Sequence, residues 1–167
     1  MRGPTGRSSG SFNTCPLTPR CWTLAAGTGG VGELLHQRGY RNLVGLDISA
    51  GMLAEARQKK IYSDLQVGIL GEPLDLPSDT FDAVISVGLF TVEHPPPPSS
   101  FEALIRVTKP GGHIVFLLHN ALASDFKPKL EALETAGKWA LAEVSPIIRT
   151  VTSGKPHPGS RVHVYQV

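Results

Sequence analysis

The sequence is short of the residues that would place it in several large protein classes. It has two cysteines in 167 residues, Cys15 and Cys21, where a disulfide scaffold or a zinc site would need more ligands. Two incidental thiols suit a reducing compartment, so an intracellular protein, cytoplasmic or nuclear, is expected. No apolar run approaches the ~18–20 residues needed to cross a bilayer, and no membrane span is expected. Charge of one sign is also scarce. The formal net charge is +2, and Lys59-Lys60 is the one adjacent basic pair, which gives no electrostatic case for nucleic acid. His36, His113, His157 and His163 show no ligand spacing, so no metal is expected.

The first twenty residues, MRGPTGRSSGSFNTCPLTPR, lack the apolar core of a secretory signal. Rich in Gly, Pro, Ser and Thr, they are predicted to be a disordered polar tail; a basic, acid-free transit peptide is the alternative. Residues 21–167 suffice for one domain with a real core but not for two.

From there short β-branched runs recur, at Leu43–Asp47, Leu65–Leu70, Phe81–Val87, His113–Leu118, Leu141–Thr150 and Arg161–Val167, and segments of helical period separate most of them. Ser49 can cap a helix through Lys60 with Met52, Leu53 and Ala56 on one face. Ser99 or Ser100 can cap Phe101–Val107. Ser124 can cap a helix through Ala136 that Gly137 stops, with Pro128 in its first turn. Such repetition predicts an α/β fold, a doubly wound and mostly parallel sheet covered on both faces. Only the turn-rich Ser153–Ser160 joins the last two strands, which are therefore expected to be antiparallel neighbours. The tetraproline Pro95–Pro98 reads as a stiff extended loop, or as a motif for a proline-binding module if exposed.

Gly27-Thr28-Gly29-Gly30-Val31-Gly32 matches G-x-G-x-x-G between a short apolar stretch, Leu24-Ala25-Ala26, and a helix over Glu33–Gln37. Glycines suit a tight turn whose backbone touches a ligand. Asp47 closes the next strand, twenty residues after Gly27, where a carboxylate can accept both hydroxyls of a ribose. A nicotinamide dinucleotide and S-adenosylmethionine share this geometry. Against the first, none of Tyr40, Tyr62 and Tyr165 is followed by the lysine of a Tyr-x-x-x-Lys set.

Leu24-Ala25-Ala26-Gly27-Thr28-Gly29, Leu46-Asp47-Ile48-Ser49-Ala50-Gly51-Met52-Leu53, Leu74-Asp75-Leu76-Pro77, Phe81-Asp82-Ala83-Val84-Ile85-Ser86 and Thr108-Lys109-Pro110-Gly111-Gly112-His113-Ile114-Val115 follow in order. Together they resemble the motifs of class I S-adenosylmethionine-dependent methyltransferases, within them the methyltransferase-like protein 27 group, over residues 24–167. The resemblance implies a Rossmann-like sheet of seven strands in the order 3-2-1-4-5-7-6 with the last strand reversed. It implies S-adenosylmethionine as cofactor and an unidentified small-molecule or protein methyl acceptor. By position, Ala26, Gly27, Thr28 and Gly29 would turn against the methionine part, and Asp47 would hold the ribose. Ile48 and Met52 would pack on the adenine, Glu72 would accept from its amino group, and Ser86, Val87 and Gly88 would lie beside the transferable methyl. Met52 has an equal claim as an ordinary core residue.

Methyl transfer needs a base only when the acceptor arrives protonated; Glu93, His94, His119 and Asn120 are candidates, although each reads more readily as a polar loop residue. Two departures stand out. Thr23 occupies the place of the acid that ends the family's first strand, and Pro19-Arg20-Cys21-Trp22 replaces an aliphatic run. The family's N-terminal covering helices have no counterpart in the polar tail, which is the pattern expected of an alternative N-terminal exon. The competing readings are a non-catalytic protein of the same fold acting as an interaction module, and, third, a nicotinamide oxidoreductase.

Overall fold

A computed structural model describes residues 19–72, 75–93, 95–149 and 158–167. The tail through Thr18, His94, and the Ser153–His157 part of the last loop lie outside them. Seven strands, β1 (Arg20–Leu24), β2 (Asn42–Asp47), β3 (Asp64–Val67), β4 (Phe81–Phe90), β5 (Thr108–His119), β6 (Ala140–Val144) and β7 (Ser160–Gln166), form one sheet in the order β3-β2-β1-β4-β5-β7-β6. The helices are α1 (Gly30–Gln37), α2 (Ala50–Gln58), α3 (Ser100–Val107) and α4 (Ala123–Thr135). β1 pairs parallel with β2 and β4, β2 with β3, and β4 with β5. β7 runs antiparallel to both β5 and β6, as its helix-free connection predicts.

The unpromising segment around Trp22 forms the central strand. Trp22 is fully buried and stacks on Phe81, with ring centroids 5.3 Å apart. One large ring replaces the expected aliphatic run, because an aromatic side chain buries ~150–250 Å² by itself. Alternation along β1 then sorts the two faces. Trp22 and Leu24 join a core in which Phe101 of α3 and Phe126 of α4 pack on Phe90 and Phe116 of the sheet. Cys21 and Thr23 face the other way, and Thr23 meets Tyr62.

Tyr62 explains much of the glycine pattern. α1 begins at Gly30, three residues before the expected start, so Gly32 is a helix-interior residue rather than part of a loop. A Cβ on Gly32 would lie 2.1 Å from the Tyr62 hydroxyl oxygen. On Gly29 or Gly45 it would stand 3.2 Å from the same ring. Gly32 makes room for the tyrosine outright, whereas a Cβ on Gly29 would be as close to Ala56 and one on Gly45 closer still to Leu65. At Gly27 and Gly29 positive φ values (+55° and +89°) add a second requirement, the tight turn itself. Ala25 also has a positive φ, +50°, without being glycine.

Several boundaries depart from expectation. β6 stops at Val144 rather than Thr150, because Pro146 cannot donate to a ladder. β3 is Asp64–Val67, not Leu65–Leu70. α4 starts at Ala123 without Ser124 as cap; a 3₁₀ turn over Asn120–Leu122 delivers Leu122 already in helical geometry. Pro128 is consequently the sixth helical residue, beyond the first turn. Ser99 stands at the start of α3 without a side-chain bond, whereas Ser49 caps α2 as expected, accepting from the Met52 N–H. β4 and β5 are longer than predicted because both continue across irregular pairings, one of them around Gly88 (φ +92°).

Two stability measurements test these assignments. Gly32→Ala, despite alanine's helix propensity, is expected to cost about 1–3 kcal/mol in urea unfolding by overpacking against Tyr62, and much less in a Tyr62→Ala background. Ala25→Gly is expected to stabilise by about 0.5–1 kcal/mol, since relief of the left-handed backbone exceeds the added unfolded-state entropy.

Candidate functional site

The sheet order turns back between β1 and β4, whose following connections leave in opposite directions. The C-terminal strand ends flanking such a switch point diverge and leave a crevice. A cavity of about 500 Å³ opens there, within the size range of ligand pockets. Its walls are Leu24 and Ala25 from the end of β1, Leu46, Asp47 and Ile48 from the end of β2, and Gly68, Ile69 and Leu70 after β3. Leu89, Glu93 and Pro95–Pro97 close it from the end of β4 and beyond.

Asp47 organises this end of the sheet. It is 8% exposed; one carboxylate oxygen accepts the Gly27 N–H at 2.8 Å and the other the Ser49 N–H at 2.8 Å. The same side chain therefore holds the glycine turn against β2 and starts α2. Each oxygen keeps a further acceptor site, so the carboxylate can still receive the paired hydroxyls of a ribose. Ile48 is 68% exposed beside it. The Met52 sulfur lies 3.9 Å from where a Cβ on Gly27 would be.

Ser86, paired across to Leu24 of the cavity wall, is 1% exposed, and its hydroxyl finds no partner. An unpaired buried hydroxyl costs about 1–3 kcal/mol. The irregular pairing after Ser86 bends β4 and leaves Val87 44% exposed. Thr23 does not face the cavity. Its buried hydroxyl lies 3.3 Å from both the Val44 carbonyl oxygen and the Tyr62 hydroxyl.

Of the residues named from sequence, the cavity wall contains Asp47, Ile48 and Glu93. Ala26, Gly27, Thr28, Gly29, Met52, Ser86 and Val87 lie outside the lining, and so does Glu72, which is exposed. His119 and Asn120 are also elsewhere: the His119 ring accepts the Ala121 N–H, and the Asn120 amide donates to the Pro158 carbonyl. Sequence reasoning missed Leu89, Gly68, Ile69 and Leu70. The tetraproline was noticed, but as a loop or docking motif; three of its prolines are wall.

The remaining chemistry-bearing groups have structural duties. Burial, aided by the charge of Asp82, pushes the Cys21 thiol up to about 11, which leaves it inert near neutrality. Asp82 itself, at the opposite end of β4 from the cavity, accepts the Arg20 N–H and pairs with Lys109, both at 2.8 Å. Among the described residues no group of three or more His, Cys, Asp or Glu could hold a metal, and no helix is long and apolar enough to cross a membrane.

Known proteins give this geometry a family. The methyltransferase domain family matches residues 22–116. Methyltransferase-like protein 27 of Homo sapiens is 38% identical over 143 residues, 82% of this chain and 58% of that protein. A demethylmenaquinone methyltransferase of Clavibacter sepedonicus is 40% identical over 99 residues, 58% of this chain and 39% of that protein. The chain thus spans less than two thirds of either relative. Among solved structures, an S-adenosylmethionine-dependent methyltransferase from Mesorhizobium loti shares the fold with a TM-score of 0.69 at 20% identity, covering 90% of this chain and 91% of that one. Family match and sheet order agree, and the chain belongs to the methyltransferase domain family.

Proposed function

We propose that this chain binds S-adenosylmethionine and transfers its methyl group to a small-molecule or protein acceptor not identified by the residues present. The observation that carries the reading is Asp47, a nearly buried carboxylate on the cavity wall that retains acceptor capacity while holding the glycine turn. In this reading Ala26–Gly29 turn against the methionine part, Asp47 takes the ribose hydroxyls, Ile48 and Met52 pack on the adenine, and Ser86 and Val87 lie beside the transferable methyl.

The bound cofactor supplies a methyl already activated on a sulfonium. What remains for the protein is alignment and exclusion of water. The mainly aliphatic and proline lining suits exclusion, and the rigid sheet ends suit alignment. A second reading, a non-catalytic protein of this fold, draws on the Thr23–Tyr62 pair, which offers no charge where the family has one.

Calorimetry separates the two. Micromolar binding of S-adenosylhomocysteine with none of NAD is expected; no binding by either would favour the non-catalytic reading. Asp47→Asn is expected to weaken S-adenosylhomocysteine by about tenfold or more, through loss of charge-assisted hydrogen bonds, with circular dichroism showing an intact fold.

A further inference from the structure

β1 is sealed on both faces, Cys21 and Thr23 as completely as Trp22 and Leu24. Its neighbour β4 is not. Val84 and Ser86 on the core face are buried, whereas Ala83 and Ile85 on the other face stay half-buried. β5 repeats the contrast: Ile114, Phe116 and Leu118 are buried, and Val115 and Leu117 between them are only partly so. Ile85 pairs with Val115, Val115 with Val164 and Leu117 with Val162. Five aliphatic side chains thus form one floor across β4, β5 and β7, and none of them belongs to the main core or packs against it. Interior strands of a mostly parallel sheet normally carry helices on both faces. Here α3 and α4 cover one face, α1 and α2 lie with Tyr62 over β1 and β2, and no described helix is left for this floor.

α1 forms the edge of the floor. Its Glu33 pairs with Lys59 at the end of α2, 2.8 Å apart, so α2 lies on that flank. Val31 and Leu35 project from the opposite flank, across β1 toward β4. Leu34 follows Gly32 by two residues, ~200° round the helix, and so points away from the sheet; it is 53% exposed. A bare aliphatic floor beside a helix with an aliphatic top makes a step. Two such steps fit together about a two-fold axis, each α1 resting on the other copy's floor. That contact gives each floor the helix layer it lacks. It uses faces and not strand edges, since β4, β5 and β7 already pair on both sides. With strands ~4.8 Å apart and a helix ~10 Å wide, floor and helix together offer about 500 Å² per copy, and the pair reaches about 1,000 Å², the least a specific interface needs.

We infer that two copies of this chain associate through this step, with Leu34 of each α1 seated on Val115 and its aliphatic neighbours in the other copy. None of these residues lines the cavity, so each copy keeps its own.

Sedimentation velocity of the full chain over a range of concentrations tests this. A reversible dimer with a micromolar dissociation constant is expected. Leu34→Glu, at a position exposed in the single copy, is expected to weaken it by about tenfold or more, because the carboxylate would be buried on aliphatic side chains. Val115→Lys is expected to do the same. Mixing the two variants is expected to restore a dimer, since the new carboxylate of one meets the new ammonium of the other. Circular dichroism checks that each variant is folded, and the Leu34→Glu result decides alone if Val115→Lys fails to fold. A chain that stays monomeric at every concentration overturns the inference, as it would if residues 1–18 or another protein's helix took the floor. A dimer that Leu34→Glu leaves unchanged overturns it as well.

Discussion

The carboxylate of Asp47 is the joint on which this molecule's working end depends. It reaches from β2 to two backbone N–H groups, one in the turn after β1 and one at the start of α2. Bonds to an ionised group are stronger than neutral ones and leave little slack. Three elements, β1, β2 and α2, are thereby registered to one another at the edge of the cavity. Ser49 extends the chain of constraint by capping α2 at Met52. A side chain that could serve a ribose is thus also the one that builds the place where a ribose would sit.

Beneath that joint lies a second constraint of a different kind. Tyr62 packs against Gly29, Gly32 and Gly45, and at Gly32 its hydroxyl leaves no room for a Cβ. The literal G-x-G-x-x-G match consequently mixes two demands. Gly27 and Gly29 answer to backbone conformation, whereas Gly32 answers to packing inside α1. Thr23 belongs to the same arrangement, since its hydroxyl meets that of Tyr62.

The cavity draws on segments that read very differently along the chain. Asp47 and Ile48 end an apolar strand and could be recognised from spacing. Ile69 and Leu70 follow a short edge strand whose end was misjudged by three residues, because an apolar run past Gly68 looks like more strand. Pro95–Pro97 had no periodicity to interpret, and their meaning depends on lying next to Gly71, more than twenty residues earlier in the chain. Glu93 was visible as a candidate, yet its neighbours were not. His119 and Asn120 were equally plausible by type and turned out to brace a turn and the last loop.

The antiparallel final strand, the acid at the end of β2 and the cap of α2 followed from local sequence, whereas the order of strands followed from the resemblance to a known family. Alternation, turn residues and motif spacing act over a few residues and leave their mark in the chain itself. What only the tertiary structure decided was contact between distant residues: that Trp22 replaces an aliphatic strand by stacking on Phe81, that Tyr62 leaves no room for a side chain at Gly32, and that Glu93 and a proline run share a cavity with β2. Those outcomes depend on how close-packed side chains fill space across the sheet, a property of the folded whole that no window along the sequence contains.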